Sequence, residues 1–169
     1  MNRKPRLALY QPDIPQNTGT ILRLAACLDV AADIIEPAGF DVSDRNLRRS
    51  GMDYLERANI HRHISWQAFE DWRRQNDYRL VLATTKGAIP HTEFSFSKND
   101  IILMGRESAG VPSEVHAASD ARIIIPMRKE TRSLNIAVSA AIILGEALRQ
   151  TATFPMDALI PNTEASDDL

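Results

Sequence analysis

Short apolar runs alternate with longer amphipathic stretches along most of the chain. Residues 7–10, 31–35, 60–64, 79–83, 101–104 and 123–125 have strand length and are rich in aliphatic or β-branched side chains. Between them, 17–28 places Ile21, Leu22, Leu24, Ala25 and Leu28 at helical spacing, with Asn17 or Thr18 available as a cap. A second helix is expected over 65–75, capped by Ser65, with Trp66, Phe69 and Trp72 on one stripe. Shorter helices are expected from Asp44 and from Pro112 or Ser113. Pro12 and Pro15 mark 11–16 as a loop, and 91–99 has no periodicity. Strands and helices in alternation predict an α/β fold, a mostly parallel sheet with helices on both faces.

The segment 123–150 organises the rest. Ile123 to Ile125 suit a buried strand, which Pro126 ends. A polar loop follows with Arg128, Lys129 and Arg132, and a helix begins at Asn135. That helix is apolar on almost every face, and Ala137, Ser139, Ala140, Ala141 and Gly145 keep it slim. An all-round apolar helix must be covered all round, partly by a second subunit in a chain this short. A basic loop held between a buried strand and a buried helix is where chemistry is expected.

Composition adds little to this picture. The 169 residues, 44% apolar and 25% charged, fit one domain over 1–153 with a flexible acidic tail over 154–169. The formal charge of −2 hides a weakly basic body, because Asp157, Glu164, Asp167 and Asp168 lie at the end of the chain; without them 20 bases face 18 acids. No apolar run is long enough for a bilayer, and no signal peptide is expected. The single cysteine, Cys27, is expected to be a structural thiol in a reducing compartment. The four histidines lack metal-ligand spacing and are expected to be surface or satisfied residues.

Other stretches carry candidate chemistry. Gly105 to Gly110 follows an apolar strand, where open α/β sheets bind ligands, but it is neither a dinucleotide fingerprint nor a P-loop. Glu107 within it is either a ligand contact or a carboxylate at the start of a helix. Arg45, Arg48 and Arg49 share a helix face, which is either solvated or phosphate-binding. Arg23 sits among Ile21, Leu22, Leu24 and Ala25, and should be paired or reach a ligand. Phe94 and Phe96 alternate in a loop, with packing the expected role.

Three stretches taken together resemble one family. They are Gln11-Pro12-Asp13-Ile14-Pro15-Gln16-Asn17-Thr18-Gly19-Thr20-Ile21-Leu22-Arg23, Met104-Gly105-Arg106-Glu107-Ser108-Ala109-Gly110-Val111-Pro112, and Ile125-Pro126-Met127 through Arg132-Ser133-Leu134-Asn135. The chain resembles the SPOUT-class RNA 2′-O-ribose methyltransferases. Ile35-Glu36-Pro37, Gly39-Phe40, Leu47 through Tyr54 and Thr84-Thr85-Lys86-Gly87 favour the small tRNA (cytidine/uridine-34) enzymes within that class.

The resemblance implies a trefoil knot near the C-terminus, a cytoplasmic homodimer, S-adenosyl-L-methionine as cofactor and tRNA as partner, with no membrane and no metal. It implies 2′-O-methylation of the wobble nucleotide, C34 or U34, in tRNA-Leu isoacceptors. The alternatives are the same reaction at another tRNA or rRNA position, or a catalytically silent dimeric RNA-binding protein. By the same resemblance Arg23, Ser133 and Asn135 are catalytic. Ala83, Gly105, Glu107, Ile125, Ser133 and Leu134 contact the cofactor, with Gly105 letting the backbone approach it. Arg48, Arg49, Arg128 and Lys129 are expected to contact RNA.

Overall fold

The alternation resolves into one seven-stranded sheet. A computed structural model describes residues 2–43, 45, 57–86 and 89–157. The strands are β1 (Arg6–Tyr10), β2 (Ala32–Ile35), β3 (Ile60–His63), β4 (Arg79–Ala83), β5 (Ile89–Pro90), β6 (Asp100–Met104) and β7 (Ala121–Ile124). The described helices are α1 (Pro15–Cys27), α2 (Trp66–Gln75), α3 (Ser113–Ala118) and α4 (Ile136–Thr151). The strand order is β3-β2-β1-β6-β4-β7-β5, and every pairing is parallel.

Both faces are covered, and strand alternation sorts the side chains between them. Leu7, Leu9, Ile34, Val81, Ile102 and Ile123 pack with α1 and α4. Ala8, Tyr10, Ile35, Leu80, Leu82, Ile101 and Leu103 pack with Phe69 of α2 and Val115 of α3. Phe94 and Phe96 meet edge to face at 4.9 Å and are buried on the first side, so packing is their role.

The second face also buries charge. Asp33 is fully buried; Arg6 Nε donates to its Oδ2 at 2.9 Å, Arg6 Nη2 donates to Oδ1 at 3.1 Å, and His63 Nε2 lies 2.8 Å from Oδ1. The Arg6 guanidinium lies over the rings of Trp72 and Tyr78.

Several boundaries move. α1 begins at Pro15 and not at the expected cap, because proline's fixed φ and missing N–H suit the first helical position. Ile14 is its N-cap, with no side-chain capping bond, so Asn17 is left for another task. β7 closes at Ile124, one residue before the expected end. β5 was not expected; it pairs only with β7, at the sheet edge where Pro90 is tolerated. Cys27 is exposed and not a core thiol. The 47–54 stretch, Arg48 and Arg49 lie outside the described residues, as does 158–169 of the expected tail.

Candidate active site

The carboxyl ends of the adjacent strands β6, β4 and β7 open into a pocket of about 520 Å³. Ala83 ends β4, Gly105 follows β6, and Ile125 follows β7, so the sheet order itself brings three separated stretches together. Leu134 and Met127 come from the loop after β7, and Ile143 from α4. Of the expected site residues, Ala83, Gly105, Glu107, Ile125, Ser133, Leu134 and Asn135 all line this pocket. Arg23, Arg128 and Lys129 do not. Arg23 is exposed on α1, and Arg128 and Lys129 are exposed in the loop after β7.

The rim is built by loop-to-loop bonds. Arg106 and Gly110 exchange backbone hydrogen bonds of 3.0 and 2.9 Å, closing a tight turn with Gly110 at φ +64°. A Cβ at Gly105 would stand 3.0 Å from the Cα and carbonyl carbon of Gly110. The turn's own closure thus favours glycine at Gly105, which also lines the pocket. Asn135 caps α4, its Oδ1 accepting from Ala137 N at 2.8 Å, while its Nδ2 donates to Asn17 Oδ1 at 3.0 Å. One asparagine thus starts the last helix and ties it to the first.

Glu107 does not serve a helix start. Its Oε2 accepts from the backbone N–H of Asp13 at 3.2 Å. Ser108 Oγ donates to Asp13 Oδ2, and Arg106 Nη2 lies 3.7 Å from the same oxygen. The neighbouring Glu107 carboxyl and the Ser108 hydroxyl hold Asp13 down at about 2. Burial, then the hydrogen bond to Asp13, raises Glu107 above its ordinary value. Asp13 drew no notice in the sequence, because its partners lie 94 and 95 residues away.

The pocket has an apolar floor of Leu82, Ile123, Ile125, Leu134 and Ile143 and a polar rim of Thr84, Thr85, Lys86 and Ser133. The backbone groups of Met127 and Leu134 make no hydrogen bond to other described residues and remain available at the wall. This fits a ligand with a flat apolar heterocycle and polar ends. His116 also lines it. Among the described residues no cluster of His, Cys, Asp or Glu could hold a metal, and no helix is long and apolar enough to cross a membrane.

Comparison with known proteins gives this arrangement a context. The family model described as the SpoU rRNA methylase family matches residues 4–145. A tRNA (cytidine(34)-2′-O)-methyltransferase of Beijerinckia indica subsp. indica is 61% identical over 154 residues, covering 90% of this chain and 96% of the relative. A structure described as giving insight into 2′-hydroxyl methylation of C/U34 on tRNA superposes with a TM-score of 0.81 at 37% identity, covering 89% of this chain and 97% of its own. An AdoMet-bound rRNA methyltransferase from Sinorhizobium meliloti superposes with a TM-score of 0.80 at 27% identity, over 88% of this chain and 57% of that one.

Proposed function

The chain belongs to the SpoU rRNA methylase family, and from that premise we propose that it methylates the ribose 2′-hydroxyl of C34 or U34 in tRNA, using S-adenosylmethionine. The observation that carries this reading is the pocket itself. Three stretches that resemble the family's motifs converge at the ends of β4, β6 and β7, tied by the Asn17–Asn135 bond. tRNA-Leu isoacceptors are the proposed substrates, and the cytoplasm the proposed compartment.

S-adenosylmethionine, when bound, supplies a methyl group on a sulfonium. Ala83, Ile125 and Leu134 would wall its adenine, with Gly105, Glu107 and Ser133 completing the cofactor site. The protein's own task is to orient the hydroxyl and to stabilise the negative charge that grows on its oxygen. Ser133 and Asn135 offer polar groups at the mouth. A guanidinium is a poor base, so the role proposed for Arg23 is that of a cation toward phosphate and alkoxide.

A homodimer explains how Arg23 reaches a reaction site. It lies on the exposed side of α1, outside the pocket of its own chain. α1 packs beside α4, whose outer face shows Val138 and Ile142 at 47% and 38% exposure. Covering that face with a second copy would carry Arg23 to the partner's pocket. The proposed fold also threads the segment after β7 through the 84–99 connection as a trefoil knot. That connection runs outside β7 as β5 and returns to bond Gln150 of α4 through the backbone of Phe94 and Phe96. Arg128 and Lys129, with Arg48 and Arg49, would meet tRNA phosphates.

Arg23→Ala tests the assignment. Methyl transfer to tRNA should fall by about two to three orders of magnitude, while calorimetry gives an unchanged affinity for S-adenosylmethionine. Normal turnover in this variant would sink the role given to Arg23.

A further inference from the structure

We propose that Asp13 is a positioning residue for the proposed methyl transfer: it fastens Glu107 and the 105–110 turn, which line the pocket, to the loop before α1. The inference rests on the reading above, but its geometry stands apart from Arg23 and from the dimer.

Asp13 is gripped from three sides. Its backbone N–H donates to Glu107 Oε2 at 3.2 Å. Its carboxylate accepts from Ser108 Oγ and faces Arg106 Nη2 at 3.7 Å. Behind it, Gly39 donates its N–H to Pro12 O at 2.8 Å, and a Cβ at Gly39 would come within 2.8 Å of Asp13 Cβ. Three segments far apart in sequence therefore meet on one side chain. Only Glu107, Arg106 and their turn also line the pocket; Asp13 acts on the site through them.

Charge explains why an aspartate is used. Asp13 Oδ1 and Arg106 Nε are both buried without a hydrogen-bond partner. The cluster is thus held by its ionic balance as well as by its bonds. Arg106 is the cation facing Asp13; Tyr10, at the end of β1, lies within the influence of Arg106 and of Glu114 on α3. The 36–40 segment contributes no charge, since Glu36 is turned to Arg62 at 2.5 Å. Asp13 carries its negative charge toward Arg106, beside the Glu107 carboxyl that accepts from its backbone. Removing the aspartate charge lets Glu107 ionise at a lower pH and frees the turn.

The test needs no RNA in its first arm. With glutamate labelled at the δ-carbon, carbon NMR of the full chain should show Glu107 titrating above its ordinary value. In Asp13→Asn its midpoint should fall toward that value. The second arm is kinetic. Asp13→Asn and Glu107→Gln should each lower kcat/KM by about tenfold or more, the size of one buried charge-assisted hydrogen bond. The double variant should be no worse than the poorer single. Ser108→Ala, which leaves both carboxyls, should show a smaller loss and guards against misfolding of the others. An unmoved Glu107 titration in Asp13→Asn, or additive losses in the double variant, would overturn the proposal. A wild-type chain that binds S-adenosylmethionine but methylates no tRNA would sink the functional reading, and the NMR arm would still decide the pair.

Discussion

Asp33 sets the strictest demand on any single side chain in the sheet. It is fully buried beneath α2, and its charge is tolerable only because Arg6 and His63 face it at 2.8 to 3.1 Å. Such a cluster adds little net stability when intact but costs much when broken, because the surviving charge has nowhere to go. Asp33→Ala leaves Arg6 buried over Trp72 without its counterion. It should destabilise the chain by about 3–5 kcal/mol, read as a lower urea midpoint at unchanged slope. Asp33→Asn, which keeps the shape and one acceptor, should cost less. A run such as Ala31 to Ile35 looks uniformly buried in sequence apart from this residue, and the pattern shows that Asp33 is out of place without naming its partners. Arg6 and His63 stand 27 and 30 residues away. The same holds for Asp13, whose partners in the 105–110 turn only the assembled fold supplies.

Elements whose ends are set by neighbouring residues were legible, and those set by distant contacts were not. Ser65 caps α2 by accepting from Ala68 N at 3.1 Å, and Asn135 caps α4, both as their spacing predicts. The N-cap of α1 was misplaced by three residues because Asn17 looks like a cap and is in fact a tie to Asn135, 118 residues on. β5 gave no signal, since two residues carry no periodicity and their only support is the β7 edge. The pocket's location was legible as the ends of apolar strands, and its lining by the 105–110 and 133–135 stretches followed. What stayed hidden was how these loops bind one another. Asn135 separates the two tasks cleanly. Asn135→Asp keeps the capping oxygen for Ala137 N but loses the donor to Asn17. It should keep the wild-type melting temperature while kcat/KM falls by about tenfold, the worth of a strong hydrogen bond at a site. Asn135→Ala should lose that activity and also about 1 kcal/mol of stability. Equal melting temperatures for all three proteins would show that the cap contributes nothing.

Across the whole fold, the described residues leave one apolar helix face uncovered. The sheet is covered on both faces, yet α4 still presents Val138 and Ile142 to solvent, and Leu134, just before the helix, is exposed as well. Gly145 adds to this openness: a Cβ there would meet nothing within 4 Å. A slim apolar helix face of this kind is what a symmetric partner covers, at roughly 800 Å² per subunit for a stable interface. The proposed knot leaves no local periodicity in the pattern. The apolar excess of α4, however, was visible as more hydrophobic surface than one sheet can bury. Val138→Glu with Ile142→Glu places two like charges on that face, where self-association would bury them against their copies. Sedimentation should then give a monomer with unchanged circular dichroism, because neither side chain belongs to the buried core. Methyl transfer should be lost along with the dimer if Arg23 serves the partner's pocket. Mixing Arg23→Ala chains with Asn135→Ala chains, neither carrying the glutamates, should restore part of the activity, since one pocket in each mixed dimer then has both an intact lining and an intact arginine. A monomeric double-glutamate variant with full activity would return Arg23 to its own chain and leave the apolar face of α4 with a purely stabilising role.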